Sequence, residues 1–447
     1  ENTYSLTKLP LRQVETPAFS FNDNPSTAED TPGFRDTGFD NFAASYEDWS
    51  LADTLLISGT DPFETKTIIW NEWIMKGIQR GMKVIFVLPR KTTGVVYAEK
   101  HGGLHLQLVP GTDTILQLAI SRVIVENGWE DASWIQRYTS NKWESDSGFG
   151  QGTRNTPWQW RTTWGQFQTK GFEDYKSWIL ANEDAEIHNA ERVTGVPAAD
   201  IIRAAEMMAK PRFDGSRTKT SIGIEKGNYW SNNYLNTASM GALALLCGTG
   251  NRPGQMISRF GGHQRGGIKG GRYPLEKSPE KFAGRRRRPL DLDRWIEAGH
   301  VRFAWAVGTT WLGSMTASQG LMNTFHRLTR GSVHQIQSAE TAADDLIRRA
   351  EAGEMVVVNQ DIYLRHPIGS EYADIIFPAA TWGEDNFSRA NGERRIRLYS
   401  RFYDPPGEAK PDWWIAAQVG KRMGYPGFDW TESNDVFEEA ARFTRGS

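Results

Sequence analysis

The strongest restriction on this chain is a repeat. Leu56-Ile57-Ser58-Gly59-Thr60 and Trp305-Ala306-Val307-Gly308-Thr309 each set a short apolar run against a Gly-Thr turn, and each is followed by a helical stretch and a second buried strand. Strand, crossover helix and strand join in parallel, with a right-handed connection. Two such halves predict an α/β protein of two doubly wound, largely parallel-sheet domains related by pseudo-symmetry, each with a cleft beyond the carboxyl ends of its strands. Clefts of that kind bind nucleotides, because the turn and the helix start present main-chain N–H groups to phosphate. At 447 residues the chain is long enough for two or three cores. The boundary is expected near residue 295, giving domains 1–295 and 296–447.

The other elements follow from apolar pattern and turn chemistry. Residues 1–50 read as loops and short helices. Strands are expected at Leu51–Ser58, Lys83–Val87, Leu104–Leu108, Thr220–Ile224, Val301–Val307 and Met355–Val358, the last ending near Asp361. Helices are expected at Glu64–Arg80, Thr114–Glu126, to about Ala209 after Thr194–Asp200, Asn236–Leu246 and Ser314–His326. Residues 129–180 carry many tryptophans without clean periodicity and read as an insertion packed over the sheet; an exposed aromatic surface is the alternative. After the apolar helix comes the glycine-dense loop Gly248–Gly271, where Arg259 and His263 stand four apart. Such a loop suits an oxyanion pocket, since main-chain N–H groups and two side chains reach one anion. It equally suits a surface loop whose Arg and His are solvated.

Composition removes several function classes. A net charge of −2 provides no global field for nucleic acid or an anionic membrane, and the block Arg285–Arg288 reads as a solvated charge run. Cys247 is the single cysteine, which excludes a disulfide framework and any thiolate-only metal site within the chain. Its apolar neighbours make it an inert core thiol. No apolar run approaches bilayer-spanning length, and no signal peptide opens the chain. Neither half carries a dinucleotide GxGxxG, a P-loop, HExxH, paired CxxC or GxSxG. Any chemistry must come from a cofactor held between the sheets, or there is none. The chain starts at Glu1 without methionine and is expected to be part of a larger polypeptide.

Three segments taken in order carry a resemblance. Ser58-Gly59-Thr60-Asp61-Pro62 with Glu64-Thr65, Val87-Leu88-Pro89-Arg90 with Thr92, and Pro110-Gly111-Thr112-Asp113 resemble the ordered motif series of the dimethyl sulfoxide reductase superfamily. Gly248–Gly254 resembles its glycine-rich segment; Ala373–Ala380 with Glu384 and Asn391–Arg395 resembles the signature of its later half. The resemblance implies the central domains of the molybdopterin oxidoreductase fold, with an iron-sulfur domain before them and a barrel domain after them, both outside this chain. Within that superfamily, Glu1–Leu9, Ser45–Asp48, Glu225-Lys226-Gly227, Arg259 with Gly261–Gln264, Asn391–Leu398 and Asp404–Gly407 are similar to the large subunits of arsenite oxidases and iodate reductases.

That branch implies a molybdenum bis-molybdopterin guanine dinucleotide cofactor with no metal ligand from the protein. Cofactor contacts carried over by position are Gly59, Thr60, Pro62, Glu64, Arg90, Glu225, Lys226, Gly227 and Gly262, with Pro110, Gly111 and Asp113 at a guanine end. Gly308, Thr309 and Asp361 would serve the other half, and Asn391 and Arg394 are further cofactor contacts. Leu88 departs from the pattern, for relatives usually place Asp before this Pro-Arg. The substrate pocket of arsenite oxidases uses an Arg and a His spaced as Arg259 and His263, plus a His and a Glu from an earlier loop. Here residues 31–41 hold neither; Arg35 and Asp36 occupy that stretch. A fixed guanidinium favours an anion as incoming substrate. The expectation is therefore oxygen-atom transfer from a small inorganic oxyanion of the iodate reductase kind, with arsenite oxidation as the second reading and a non-catalytic scaffold as the reading from another class. Implied partners are a small Rieske iron-sulfur subunit and a c-type cytochrome or similar electron carrier, in the periplasm, with an iron-sulfur cluster only in the preceding region. No nucleic acid and no membrane span are expected.

Overall fold

The computed structural model describes residues 1–20, 31–39, 44–139, 160, 171–250, 252–260, 269–277, 291–314, 318–329, 338–391 and 395–443, with backbone only at Arg35, Leu275, Asp291, Ala390 and Asn391. It is an α/β chain that divides into two compact units. The larger comprises Glu29–Arg265 with Ala390–Arg395; the other comprises Glu1–Ala28, Gly266–Arg389 and Ile396–Ser447. Residues 1–28 and 266–295 thus group with the later half, unlike the expected split at 295.

Five parallel strands form the centre of the larger unit: β1 (Thr54–Ser58), β2 (Lys83–Val87), β3 (Leu104–Leu106), β4 (Thr220–Ile224) and β5 (Ile257–Arg259), in the order β3-β2-β1-β4-β5. Period-two alternation assigns the faces. Leu55, Ile57, Val84 and Phe86 pack with Trp49, Trp70, Ile78 and Val95. Leu56, Ile85, Val87, Ile222 and Ile224 pack with the helices Asp113–Glu126, Ala198–Ala209 and Asn233–Leu246. The chain winds from β1 outward to β3, then returns to add β4 and β5 on the other side. Both faces of the sheet are covered, which is why its strands read as nearly continuous apolar runs.

Three local expectations change. Leu51 closes a helix, Tyr46–Leu51, instead of opening β1; Ser45 and Asp48 form a capping box, with the Ser45 N–H donating to Asp48 Oδ2 at 2.9 Å. The helix expected over Glu64–Arg80 is broken at Lys66 (φ −146°, ψ 56°) into Pro62–Thr65 and Thr67–Ile69, followed by a wide turn Trp70–Ile74 and Met75–Gln79. The stretch read as one loop, Gly248–Gly271, contains β5. Gly223 on β4 makes room beside it, since a Cβ there would lie 2.1 Å from the ring of Phe260, which packs on Trp49 at 4.8 Å. Among the described tryptophans of the insertion, Trp134 and Trp160 are buried in the core, Trp160 against Tyr175 at 4.7 Å. Trp143, Trp158 and Trp164 lie outside the described residues.

The second unit holds β6 (Phe303–Val307), β7 (Val356–Asp361) and β8 (Ile375–Pro378), parallel and in that order. A two-stranded sheet pairs β9 (Phe387–Asn391) with β10 (Arg395–Tyr399). The sequence repeat has a geometric counterpart: the Gly59 N–H donates to Val87 O at 3.3 Å, and the Gly308 N–H to Gln360 O at 2.9 Å, each glycine having a left-handed φ (76° and 57°). Gly308 leads into the turn Trp311–Gly313 and a helix at Ser318–Thr329, four residues later than expected at its start. Asp374 of the Ala373–Ala380 signature is a clamp, accepting from the Val357 N–H at 2.9 Å and from Arg349 at 2.5 Å.

Residues 1–28 belong to this unit because their polar-looking helix is buried. Lys8, 3% exposed, meets Glu439 at 2.5 Å and donates to Gly427 O, while the rings of Trp430 and Phe428 lie 4.6 and 5.0 Å from its ammonium. Tyr4 OH and Trp430 Nε1 also donate to Glu439, at 2.7 and 2.8 Å. Removing one partner of such a pair leaves the other charge desolvated. Lys8→Met should therefore destabilise this unit by about 3 kcal/mol, read as a lower urea midpoint, and Lys8→Met combined with Glu439→Gln should recover part of that loss.

Candidate functional site

In a doubly wound sheet the crevice opens where the winding direction reverses. Here that point lies between β1 and β4, and a cleft of about 820 Å³ opens there. It is lined by the segments that leave β1 (Gly59–Asp61, Glu64–Lys66), β2 (Val87–Arg90, Thr92), β3 (Leu108, Pro110, Gly111, Asp113) and β4 (Glu225–Gly227, Ser231). The floor is a backbone-to-backbone contact. Beyond the strands, the Glu225 N–H donates to Ser58 O at 2.9 Å and the Gly227 N–H to Gly59 O at 3.0 Å. A Cβ on Gly59 would lie 2.1 Å from Asn228 N. Gly59 and Gly227 are therefore needed first for each other. Gly111 is different: its φ of 89° also demands glycine, but a Cβ there would meet nothing within 4 Å, so it leaves open space at the cleft wall.

The turn after β1 is shaped by Asp61. Its carboxylate accepts from the Phe63 N–H at 2.8 Å, capping Pro62–Thr65, and from the Gly94 N–H at 3.1 Å, at the start of helix Thr93–Lys100. A Cβ on Gly94 would sit 2.3 Å from Asp61 Oδ1, so glycine is required for that bond. Asp61 was not among the expected site residues, although Asp-Pro before a helix is an N-cap signal. Thr60 and Thr65 share a hydroxyl contact of 2.9 Å. At the rim Arg90 and Glu64 pair at 2.6 Å.

Three buried carboxylates line this cleft: Asp61, held by its two N–H bonds, and Asp113 and Glu225. Asp113 is 5% exposed; burial pushes its pKa up to about 6, against the opposing pull of its own backbone N–H and the Asn228 amide. Asn228 is fixed by donating to Ser58 Oγ at 3.0 Å, and Asn236 ties it to the helix start by donating to Asn228 O at 2.6 Å and accepting from Thr114 at 2.5 Å. Glu225, also 5% exposed, receives Tyr229 OH at 2.5 Å and the Arg259 guanidinium at 2.9 Å on Oε1. Its Oε2 has Lys66 Nζ at 3.6 Å and no hydrogen bond among the described residues, as Asn228 Oδ1 has none. Buried acceptors left so cost about 1–3 kcal/mol each, a signature of groups that await donors. Burial pulls the Lys66 pKa down; Glu225 opposes this, while Arg259 and Lys226 add to it.

Ten of the residues expected to hold a cofactor line this one cleft: Gly59, Thr60, Glu64, Arg90, Pro110, Gly111, Asp113, Glu225, Lys226 and Gly227. Pro62 is buried behind it at the helix start. Leu88 packs in the core, 7% exposed, with its carbonyl facing His105 Nε2 at 3.0 Å. Gly308, Thr309 and Asp361 lie in the second unit; there Asp361 is gripped by Arg365 at 2.9 and 3.0 Å and accepts the Ile362 N–H at 2.8 Å. Arg259 does not line the cleft. It is 1% exposed at the end of β5, stacked 4.7 Å over Tyr229 and paired with Glu225, not solvated in a loop. Asp36 receives Tyr234 OH at 3.1 Å, and its helix lies close against Asn233–Leu246, where a Cβ on Gly33 would fall 2.2 Å from Ala238 N. His263, Gly262 and Arg394 lie outside the described residues; of Arg35 and Asn391 only the backbone is described. Cys247 is buried, its pKa pushed up to about 12 by burial, as expected of an inert thiol. No described helix is long and apolar enough to cross a membrane.

Comparison with known proteins places this arrangement. The Molybdopterin oxidoreductase family matches residues 14–422. An iodate reductase subunit of Denitromonas iodatirespirans is 53% identical over 100% of this chain and 50% of its own length; one of Pseudomonas sp. (strain SCT) is 50% identical over the same shares. An arsenite oxidase subunit of Herminiimonas arsenicoxydans is 29% identical, covering 99% of this chain and 52% of its own. The chain thus spans about half the length of the curated relatives it matches. Among solved structures, acetylene hydratase from Pelobacter acetylenicus superposes with a TM-score of 0.63 at 16% identity, over 97% of this chain and 55% of the other.

The state of Asp113 has a measurable consequence. Its folded pKa of about 6 exceeds the unfolded 3.8, so between those values the unfolded chain has released a proton that the folded chain keeps. Stability should fall as pH rises through this window, by about 3 kcal/mol for two pKa units, and level off above 6. Asp113→Asn removes that loss, so its advantage over the parent in urea unfolding should grow from pH 4 to pH 7.

Proposed function

The chain belongs to the molybdopterin oxidoreductase family, and from that premise we propose that it is the central part of a catalytic subunit that reduces a small inorganic oxyanion, iodate above others. The observation that carries this reading is the similarity to two iodate reductase subunits along the entire chain, well above that to the arsenite oxidase subunit. Arg35 and Asp36 agree with it, because a fixed cation where arsenite oxidases use His and Glu favours an incoming anion.

Family membership makes molybdopterin the cofactor class, and the finer form we propose is the bis-guanine dinucleotide. When bound, such a cofactor supplies a molybdenum centre that takes up an oxo group and cycles electrons. The residues of the cleft suit one dinucleotide. Asp113, ionised at neutral pH, can accept from N1–H and the exocyclic amine of guanine, and Gly111 leaves space for the ring beside it. Glu225 Oε2, in the cleft wall, offers a further acceptor. Gly308, Thr309 and Asp361 of the second unit are the proposed seat of the other dinucleotide; Asn391 and Arg394 remain proposed cofactor contacts. Arg259 and His263 stay the proposed oxyanion contacts. An iron-sulfur cluster in a preceding domain, a Rieske-type small subunit, a c-type cytochrome and a periplasmic site complete the proposal.

Steady-state assay of the full-length enzyme tests it. Iodate should be consumed in the presence of a reduced electron donor, with arsenite oxidised slowly or not at all. Turnover of arsenite without iodate reduction rejects the preference, and absence of molybdenum from the purified protein rejects the class.

A further inference from the structure

Three cations line the cleft at the carboxyl end of the sheet, and two of them are engaged at its rim. Arg90 is paired with Glu64 at 2.6 Å, and Lys226 lies 4.7 Å over the ring of Trp230. Lys66 is placed otherwise. Its side chain is 15% exposed, and its nearest acid, Glu225 Oε2, is 3.6 Å away, beyond an ordinary hydrogen bond. The Glu225 carboxylate already serves Arg259 and Tyr229 through Oε1. Lys66 is thus a largely desolvated ammonium in the cleft wall, with Glu225 as its ionic partner but no acid within ordinary hydrogen-bond distance among the described residues.

The fold puts it there on purpose of geometry. Lys66 interrupts the helix after β1: its backbone leaves the helical region, ending Pro62–Thr65 with its own N–H on Pro62 O and starting Thr67–Ile69. An unbroken helix would carry position 66 around the cylinder; the break holds it in the cleft wall beside Thr65 and across from Glu225. That turn is itself anchored by the two Asp61 hydrogen bonds.

Resting on the reading of the cleft as a guanine dinucleotide site, we propose that Lys66 is the anchor for the diphosphate, held by Glu225 in the free protein and handed to a phosphate oxygen when the ligand enters. The exchange is favourable because a phosphate offers the ammonium charge-assisted hydrogen bonds that Glu225 at 3.6 Å does not make, and because most of the desolvation of Lys66 has already occurred on folding. Glu225 is then left to Arg259 and Tyr229, which already hold it. Lys66 reads phosphate and not base, so it sets a preference among nucleotides by phosphate number, while Asp113 sets the preference for guanine.

Titration calorimetry on the cofactor-free full chain, with GDP, GMP and guanosine as probes, tests this. The parent should bind GDP at least about tenfold more tightly than guanosine. Lys66→Gln should weaken GDP about ten- to a hundredfold, the range for losing a charged hydrogen bond, and leave guanosine within about twofold. Lys66→Arg should restore most of the GDP affinity, and melting curves should show all three proteins folded. If the parent binds GDP and Lys66→Gln binds it equally well, the anchor is wrong and the cleft reading stands. If Lys66→Arg loses as much as Lys66→Gln, charge at this position is not the cause and the anchor is likewise wrong. If the parent binds neither GDP nor guanosine, the reading of the cleft fails and takes the anchor with it.

Discussion

The larger unit depends on one contact: the turn leaving β1 pressed against the turn leaving β4. Gly59 and Gly227 meet there main chain to main chain, with the Gly227 N–H on Gly59 O and Asn228 N where a Gly59 Cβ would fall. This contact continues the β1–β4 pairing past the last strand residues and closes the floor of the crevice. Everything that lines the cleft is placed relative to it. Glu225 and Lys226 precede Gly227 on one side, and Asp61 with its two N–H bonds follows Gly59 on the other. Without that floor, the switch point would open into the sheet and not outward from it.

The electrostatics of the cleft follow from this packing. Behind that closed floor Asp113 and Glu225 are both 5% exposed, and each must find donors in the protein or in a ligand. Glu225 finds two on one oxygen and none on the other. Asp113 is left mainly to burial, which raises its pKa. A protein optimised only for stability would not retain two such acids beside a solvent-open crevice. Buried acids of this kind occur more often at functional sites than elsewhere in a core.

Much of this was legible in the residues, and the parts that were not share a cause. The strand–Gly-Thr–helix–strand repeat could be read because apolar runs between glycine turns leave few alternatives; β2 and β4 begin and end where expected. Ten positions expected to hold a cofactor reached one cleft because they sit at strand ends, which topology gathers automatically. Strand β5 was hidden by the glycines before it, of which Gly254 serves close packing, since a Cβ there would lie 2.7 Å from Leu51 O. The break at Lys66 was hidden because helical periodicity runs through it; the Asp61 cap, whose second bond reaches Gly94, marks where that first turn begins and not where it ends. The buried state of Arg259 depends on Glu225, 34 residues earlier, and no local pattern connects the two. The grouping of residues 1–28 with the later half rests on Lys8 and Glu439, which are equally remote.

The two glycine turns also show how a repeated backbone can carry different chemistry. Ser58 pairs with Val87 and Val307 with Gln360, so the residue after each partner, Leu88 and Asp361, occupies the same place in its unit. Asp361 is gripped there by Arg365 through both oxygens. Leu88 has no oxygen to offer; its side chain fills the core and its carbonyl faces His105. The arginine that follows, Arg90, consequently has no acid on its own strand end and turns instead to Glu64, on the segment after β1. The polar edge that one unit builds on its second strand is carried in the other by the turn after its first. A leucine in place of the usual aspartate therefore relocates the acid–arginine pair and does not abolish it, and the repeat governs where the backbone turns while the partners of each charge decide what that turn can hold.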